Sequence, residues 1–296
     1  DHPDLHSFPT RRSSDLSASH NPPGHNGVKF GLGDGGVLAP AISANLIAAL
    51  KDGACSREDI DHIAGLMESA APEKVAAVFT SAPAVKRYAM SDYLLFSREI
   101  FTGIPSENME DQEAVFNLLA EEAERYGIGI IAEMNGSARS LSIDDTFITS
   151  IGSKFRQYNS VPGHFVHRIV PEGASLDDCR RLLEEAHGAD SEFELGYVPD
   201  CDGDRGNIVL WDEERQSARP LEAQETFALA VLSELAYASV VRDHGAIKKE
   251  GDKALAVVCN DATSLRIEAI AAALGAKVFR TETGEANVVS RARMLR

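Results

Sequence analysis

From about Gly27 onward the apolar positions fall into two alternating kinds of run. Short runs rich in β-branched residues at 74–81, 127–133, 192–198, 206–211, 254–260 and 276–281 have the length and bounding of β-strands. Longer stretches between them carry apolar residues three and four apart, which predicts helices. Several helix ends are legible. Ser56 with Asp59, and Ser175 with Asp178, have capping-box spacing, and Thr263 or Ser264 opens a helix that Gly275 closes. This alternation is the βαβ rhythm of parallel sheets covered by helices, so the expected class is α/β. The most apolar stretch, 223–241, is interrupted by Glu225, Ser233 and Glu234 and reads as an amphipathic helix, not a membrane span.

Residues 1–15, DHPDLHSFPTRRSSD, follow neither period and are expected to form a non-native or disordered tail. Part of that tail, HSFPTRRSSDL, is similar to a translated sequencing adapter. Arg11 and Arg12 have no apolar core behind them, so the segment is not a secretory signal.

With 44% hydrophobic residues in 296, the chain can fill more than one ordinary core. Asp and Glu outnumber Lys and Arg by 46 to 29, and the resulting net charge of −17 repels nucleic acid and anionic membranes alike. An anionic small substrate would therefore need a locally cationic pocket or a metal. Cys55, Cys179, Cys201 and Cys259 form no CxxC pair, which argues for reduced thiols in a cytoplasmic protein.

Two loops carry candidate chemistry. The first runs from Ser17 to Phe30, SASHNPPGHNGVKF, dense in hydroxyls, Gly and Pro and ending near Lys29. Its Gly and Asn let backbone N–H groups converge on an anion, so it reads either as a phosphate-holding loop or as a polar turn. The second, Pro199 to Arg205, places Asp200, Asp202 and Asp204 at alternate positions between two strand-like runs. Hard oxygens at that spacing suit Mg²⁺ or Ca²⁺. An EF-hand is excluded because Arg205 and Trp211 stand where its Gly and its bidentate Glu belong. A haloacid-dehalogenase-type phosphatase with Asp200 as nucleophile, a non-catalytic metal-stabilised binding protein and a solvated acidic turn stay open at this level.

Together the two loops resemble the α-D-phosphohexomutase family, the phosphoglucomutases and phosphomannomutases. SASHNPPGHNGVKF is similar to its active-serine signature, and Asp200, Asp202, Asp204 and Arg205 match its D-x-D-x-D-R metal loop, with Cys201 in a slot that is often Gly or Ala. Met134 to Ala138 resembles the family's M/P-N-G-x-A turn, HRIVPEG at 167–173 its P-E-P/G stretch, and Arg280 to Gly284 its T-x-V/T-G loop near the sugar. Where family members lead into the serine loop from a hydrophobic strand, Arg11 to Asp15 precede it here, and Glu282 and Glu285 stand where a Lys is common.

The resemblance implies repeated mixed or parallel sheet domains covered by helices, in an incomplete phosphohexomutase-like arrangement. Residues 1–15 are the tail, 16–88 the end of a first domain with the phosphoserine loop, 89–216 a second domain with the metal loop, and 217–296 part of a third. The family's G-E-x-S-G loop and R-x-S-G-T-E-P phosphate-binding domain are not in the chain, so the expectation is a fragment truncated at both ends and inactive by itself. By carry-over, Ser19 bears the transferable phosphoryl group, His20 and Asn21 shape its loop, Lys29 transfers a proton or neutralises phosphate, and Arg205 orients phosphoserine oxygens. Ser19, Asp200, Asp202 and Asp204 would hold Mg²⁺, and Asn21, Thr283, Gly284 and Glu285 would lie near substrate. The implied reaction interconverts hexose 1-phosphate and hexose 6-phosphate, with glucose 1,6-bisphosphate or mannose 1,6-bisphosphate as activator.

Overall fold

A computed structural model describes residues 13–16, 27–31, 38, 40–243 and 254–295. The chain divides into two compact units, one within 1–17, 26–91 and 282–296 and the other within 18–25 and 92–281. Among the described residues, no helix is long and apolar enough to cross a membrane.

In the first unit, β1 (Ser13–Leu16) and β2 (Val28–Gly31) pair antiparallel, with Asp15 opposite Lys29. Ser13, Ser14 and Asp15, expected in a structureless tail, thus belong to a strand. The pairing uses backbone groups, and over four residues it needs no hydrophobic alternation in the side chains. Helices α1 (Pro40–Cys55) and α2 (Arg57–Glu68) follow. Ser56 caps α2 as its spacing predicts, with its Oγ accepting from the Asp59 N–H at 3.0 Å.

Helix α3 (Pro72–Thr102) runs on into the second unit and contains the stretch 74–81, which the sequence suggests is a strand. Val75, Val78 and Phe79 are three and four apart, so the same apolar run satisfies a helical period, and it lies within a long stretch of helix formers.

The second unit continues with α4 (Met109–Tyr126), β3 (Gly129–Glu133), α5 (Asp144–Ser150), β4 (Lys154–Tyr158), α6 (Asp177–Ala189), β5 (Phe193–Pro199), β6 (Gly206–Asp212) and β7 (Ser217–Pro220). The five strands form one mixed sheet in the order β4-β3-β5-β6-β7. Strand β3 runs parallel to both its neighbours, while β5, β6 and β7 are successively antiparallel. Helix α6 covers the sheet with Cys179, Leu182, Leu183 and Ala186, spaced three and four apart on one face and packed with Ile131, Phe193, Val198 and Val209. Its solvent face carries Arg180–Glu184 and Arg181–Glu185 pairs one turn apart.

The helix starts one residue later than the capping-box spacing predicts, with Leu176 at the N-cap position. Ser175 is buried in a short 3₁₀ turn, Gly173–Leu176, and makes no side-chain cap to α6. Leu176 packs into the core beneath the sheet and Ser175 is buried beside it, which displaces the residue that the spacing alone would place at the cap.

Helix α7 (Ala223–Asp243), β8 (Ala256–Asn260), α8 (Arg266–Ala273), β9 (Lys277–Thr281) and α9 (Glu285–Leu295) complete the chain. Strands β8 and β9 pair parallel. Ala228, Val231 and Leu235 of α7 meet Ile267 and Ala271 of α8 in a second, separate cluster. Gly275 ends this helical stretch at φ +70°, as expected of a C-terminal glycine.

Leu183, fully buried between α6 and the sheet, gives a direct check on this packing. Leu183→Ala is expected to cost about 2–5 kcal/mol, read as a lower urea midpoint at unchanged m-value.

Candidate metal centre

Parallel pairing buries β3 on both sides and brings its carboxyl end level with the ends of β4 and β5. Two connections meet there: the turn after β3 and the loop from Asp200 to Arg205 that joins β5 to β6. The antiparallel register closes this loop by setting Pro199 opposite Gly206. Asp200 accepts from two loop N–H groups through one carboxylate oxygen, Oδ1, from Gly203 at 3.0 Å and Arg205 at 3.2 Å. The Asp200 N–H in turn donates to the Arg205 carbonyl at 3.0 Å. The tightness of the turn requires Gly203, whose φ is +82° and whose Cβ, if present, would sit 2.8 Å from that of Arg139.

Within this loop, oxygens of Asp200, Asp202 and Asp204 all lie within 4.8 Å of one another. Their exposure is graded: Asp200 is buried, Asp202 half-buried and Asp204 open to solvent. Three hard oxygens with a dry inner member and an open outer one fit a small divalent cation that retains water, so the donor set suits Mg²⁺. Arg205 Nε lies 3.9 Å from Asp204 Oδ1, on a largely exposed side chain. Burial, followed by the charges of Asp200 and Asp202, pushes the Cys201 thiol upward.

The remaining sequence-derived residues are distributed differently. Ser19, His20 and Asn21 lie outside the described residues. Lys29 occupies β2 in the first unit. Thr283 and Gly284 precede α9 and Glu285 begins it, also in the first unit. The Gly284 carbonyl accepts from the Asn287 and Val288 N–H groups, and the Asn287 amide reaches the Glu282 carbonyl at 3.3 Å.

Behind the aspartates lies a polar network to which the sequence reading assigns no role. Glu133, at the end of β3, has no exposed surface. Its Oε1 accepts from the Asn159 amide at 2.6 Å and the Asn135 N–H at 3.2 Å, and its Oε2 faces His167 Nε2 at 2.9 Å. The other ring nitrogen of His167 lies 2.8 Å from the Arg168 carbonyl. With an acceptor on each side, the imidazolium is the form this site suits. The Glu133 hydrogen bond, against the opposing effect of burial, pushes the His167 pKa up to about 8, helped by the Arg168 carbonyl and the charges of Glu133 and Asp178. Nearby, Asp144 Oδ2 accepts from both Tyr197 Oη at 2.6 Å and Arg139 Nε at 2.7 Å. The sequence signals for this network were the MNGSA and HRIVPEG segments, recognisable by resemblance and silent about the contacts they make.

No family model matches the chain, and no curated protein matches it. Solved structures do. A phosphoglucomutase/phosphomannomutase family protein from Burkholderia thailandensis superposes with a TM-score of 0.52 at 13% identity, covering 96% of this chain and 48% of that one. The exocytosis-sensitive phosphoprotein pp63/parafusin, a phosphoglucomutase from Paramecium in its open form, gives 0.50 at 17% identity, over 91% and 44%. The fold is that of the phosphohexomutases. The chain spans about half the length of these phosphohexomutase structures. Its mixed sheet with covering helices agrees with the α/β class expected from the sequence.

The raised His167 pKa makes a pH prediction. A group whose pKa rises on folding stabilises fully below its unfolded value, about 6.5, and loses that contribution as pH climbs through about 8. Stability should therefore fall by up to roughly 2 kcal/mol between about pH 6.5 and 9, measured by urea unfolding. His167→Gln should flatten that slope.

Proposed function

We propose that this chain supplies the phosphoserine and the metal loop of a phosphohexomutase, an intramolecular phosphotransferase that moves phosphate between C1 and C6 of a hexose. The observation carrying this reading is the convergence of Asp200, Asp202 and Asp204 on the β5–β6 connection of a phosphohexomutase fold. The serine-loop sequence SASHNPPGHNGVKF supports it independently. In this reading 16–88 belong to a first domain, 89–216 to a second and 217–296 to part of a third.

Ser19 Oγ would carry the phosphoryl group, with His20 and Asn21 shaping its loop. The Oγ–P bond breaks as a bond forms from phosphorus to O1 or O6 of a hexose phosphate, and the hydroxyl proton is taken up locally, with Lys29 the candidate acceptor or counter-charge. The resulting bisphosphorylated sugar turns over and returns its other phosphate to Ser19. Asp200, Asp202, Asp204 and the Ser19 phosphate would hold Mg²⁺, which when bound supplies charge neutralisation on the transferred group. Arg205 is suited to orient phosphoserine oxygens by charge-assisted hydrogen bonds. Thr283, Gly284 and Glu285 are assigned to the sugar side, and glucose 1,6-bisphosphate or mannose 1,6-bisphosphate to priming of Ser19. Asp200 makes a poor phosphatase nucleophile, because its carboxylate is buried and one oxygen already accepts two loop N–H groups.

Because the chain alone is expected to be inactive, the test uses an intact homologue carrying both loops, in which incubation with radiolabelled glucose 1,6-bisphosphate and Mg²⁺ is expected to label the serine at the Ser19 position. Ser19→Ala should abolish the label, and Asp202→Asn should slow labelling by at least about a hundredfold. Label on Asp200 would transfer the assignment to a phosphatase. Mg²⁺ binding without label on either residue would leave a metal-stabilised binding protein.

A further inference from the structure

The turn after β3 holds main-chain carbonyls of the metal loop at every second residue. Asn135 Nδ2 donates to the Pro199 carbonyl at 3.0 Å. The Cys201 carbonyl accepts from Ser137 Oγ at 3.1 Å and from the Ala138 N–H at 2.9 Å. Arg139 Nη1 donates to the Gly203 carbonyl at 3.2 Å. Pro199, Cys201 and Gly203 thus give their carbonyls to one rigid turn, while Asp200, Asp202 and Asp204 between and beside them bring their carboxylates together.

The turn is itself fixed. Asn135 is fully buried at φ +52°, its N–H is held by Glu133, and its amide also donates to the Ile169 carbonyl at 2.8 Å. Gly136 follows at φ +60°, where a Cβ would lie 2.7 Å from the His164 carbonyl oxygen. A left-handed pair in so confined a place adopts one conformation, so the donors it presents have little freedom to follow a wandering loop.

We propose that Asn135 and Ser137 are positioning residues for the cation: they hold the loop's intervening carbonyls so that Asp200, Asp202 and Asp204 converge before any ion arrives. This rests on the metal-loop reading above. Neither residue need touch the ion. Their effect is to remove the conformational freedom that three like-charged carboxylates would otherwise use to separate.

The test is Mn²⁺ affinity of the full chain by calorimetry, with the EPR spectrum of bound Mn²⁺ as a readout of ligand symmetry. Asn135→Asp removes the amide donor at nearly constant shape and should weaken binding about tenfold or more. Ser137→Ala, the milder change because Ala138 N–H still holds Cys201, should weaken it a few-fold and broaden the spectrum. Ala186→Gly, which loosens the same α6 core away from the loop, should lower stability and leave both readouts unchanged. Should Asn135→Asp fail to fold, Ser137→Ala against Ala186→Gly decides alone. If Asp202→Asn abolishes Mn²⁺ binding while Ser137→Ala matches Ala186→Gly, the positioning role is wrong and the metal loop stands. If Asp202→Asn binds as tightly as the unaltered chain, the metal loop and this inference fall together.

Discussion

Glu133 sits at the end of a central parallel strand with no surface in contact with water. A carboxylate in that position is tolerable only when donors surround it, since an isolated buried charge carries a desolvation cost of several kcal/mol. The donors come from three directions: Asn159 beyond β4, His167 from the long connection before α6, and the N–H of Asn135 in its own turn. One buried charge thereby ties together segments that are far apart in the chain. The turn it orders is the same one that holds the Asp200 to Arg205 loop from behind. Removing the acid would leave His167 Nε2, the Asn159 amide and the Asn135 N–H without their acceptor, so the ordering of the loop and the satisfaction of the strand end are one problem with one solution.

The acidic cluster of the loop was legible because it is local. Three carboxylates at alternate positions between two strand-like runs already specify a hairpin connection lined with hard oxygens, and β5 and β6 flank it much as their apolar runs predict. Strands 127–133, 254–260 and 276–281 were legible for the same reason, being short apolar runs between clear breakers. Strand β4, with the sequence KFRQY, carries no such run. It forms because β3 offers a parallel edge, and its half-buried residues lie at the rim of the sheet. Strand β7, SARP, is likewise a product of pairing with β6.

Errors in the sequence reading share a cause. The stretch 74–81 has an apolar run of strand length, yet Val75, Val78 and Phe79 fit a helical period equally well, and the neighbouring residues decide for helix. Ser175 and Asp178 have the spacing of a cap, but the side chain is taken into the core with Leu176 and the helix begins afterwards. In both places a pattern a few residues long was compatible with two structures, and packing chose between them. The buried network around Glu133 was beyond reach for a stronger reason. Glu133 and His167 are 34 residues apart, and no periodicity links an acid at a strand end to an imidazole in a loop.

The Cys201 slot shows how the loop separates what it requires from what it tolerates. Asp200, Asp202 and Asp204 contribute side chains, so their identity matters to the donor set. Cys201 contributes its carbonyl, which accepts from Ser137 and Ala138 whatever side chain the residue bears. The thiol therefore needs only to be small and to stay un-ionised. Burial and the flanking aspartates secure the second condition by making a further negative charge at that point costly. A basic residue there would place a cation between two of the aspartates. The departure from Gly or Ala at this position is consequently compatible with a hard-metal loop, because the physical demand falls on the backbone atom.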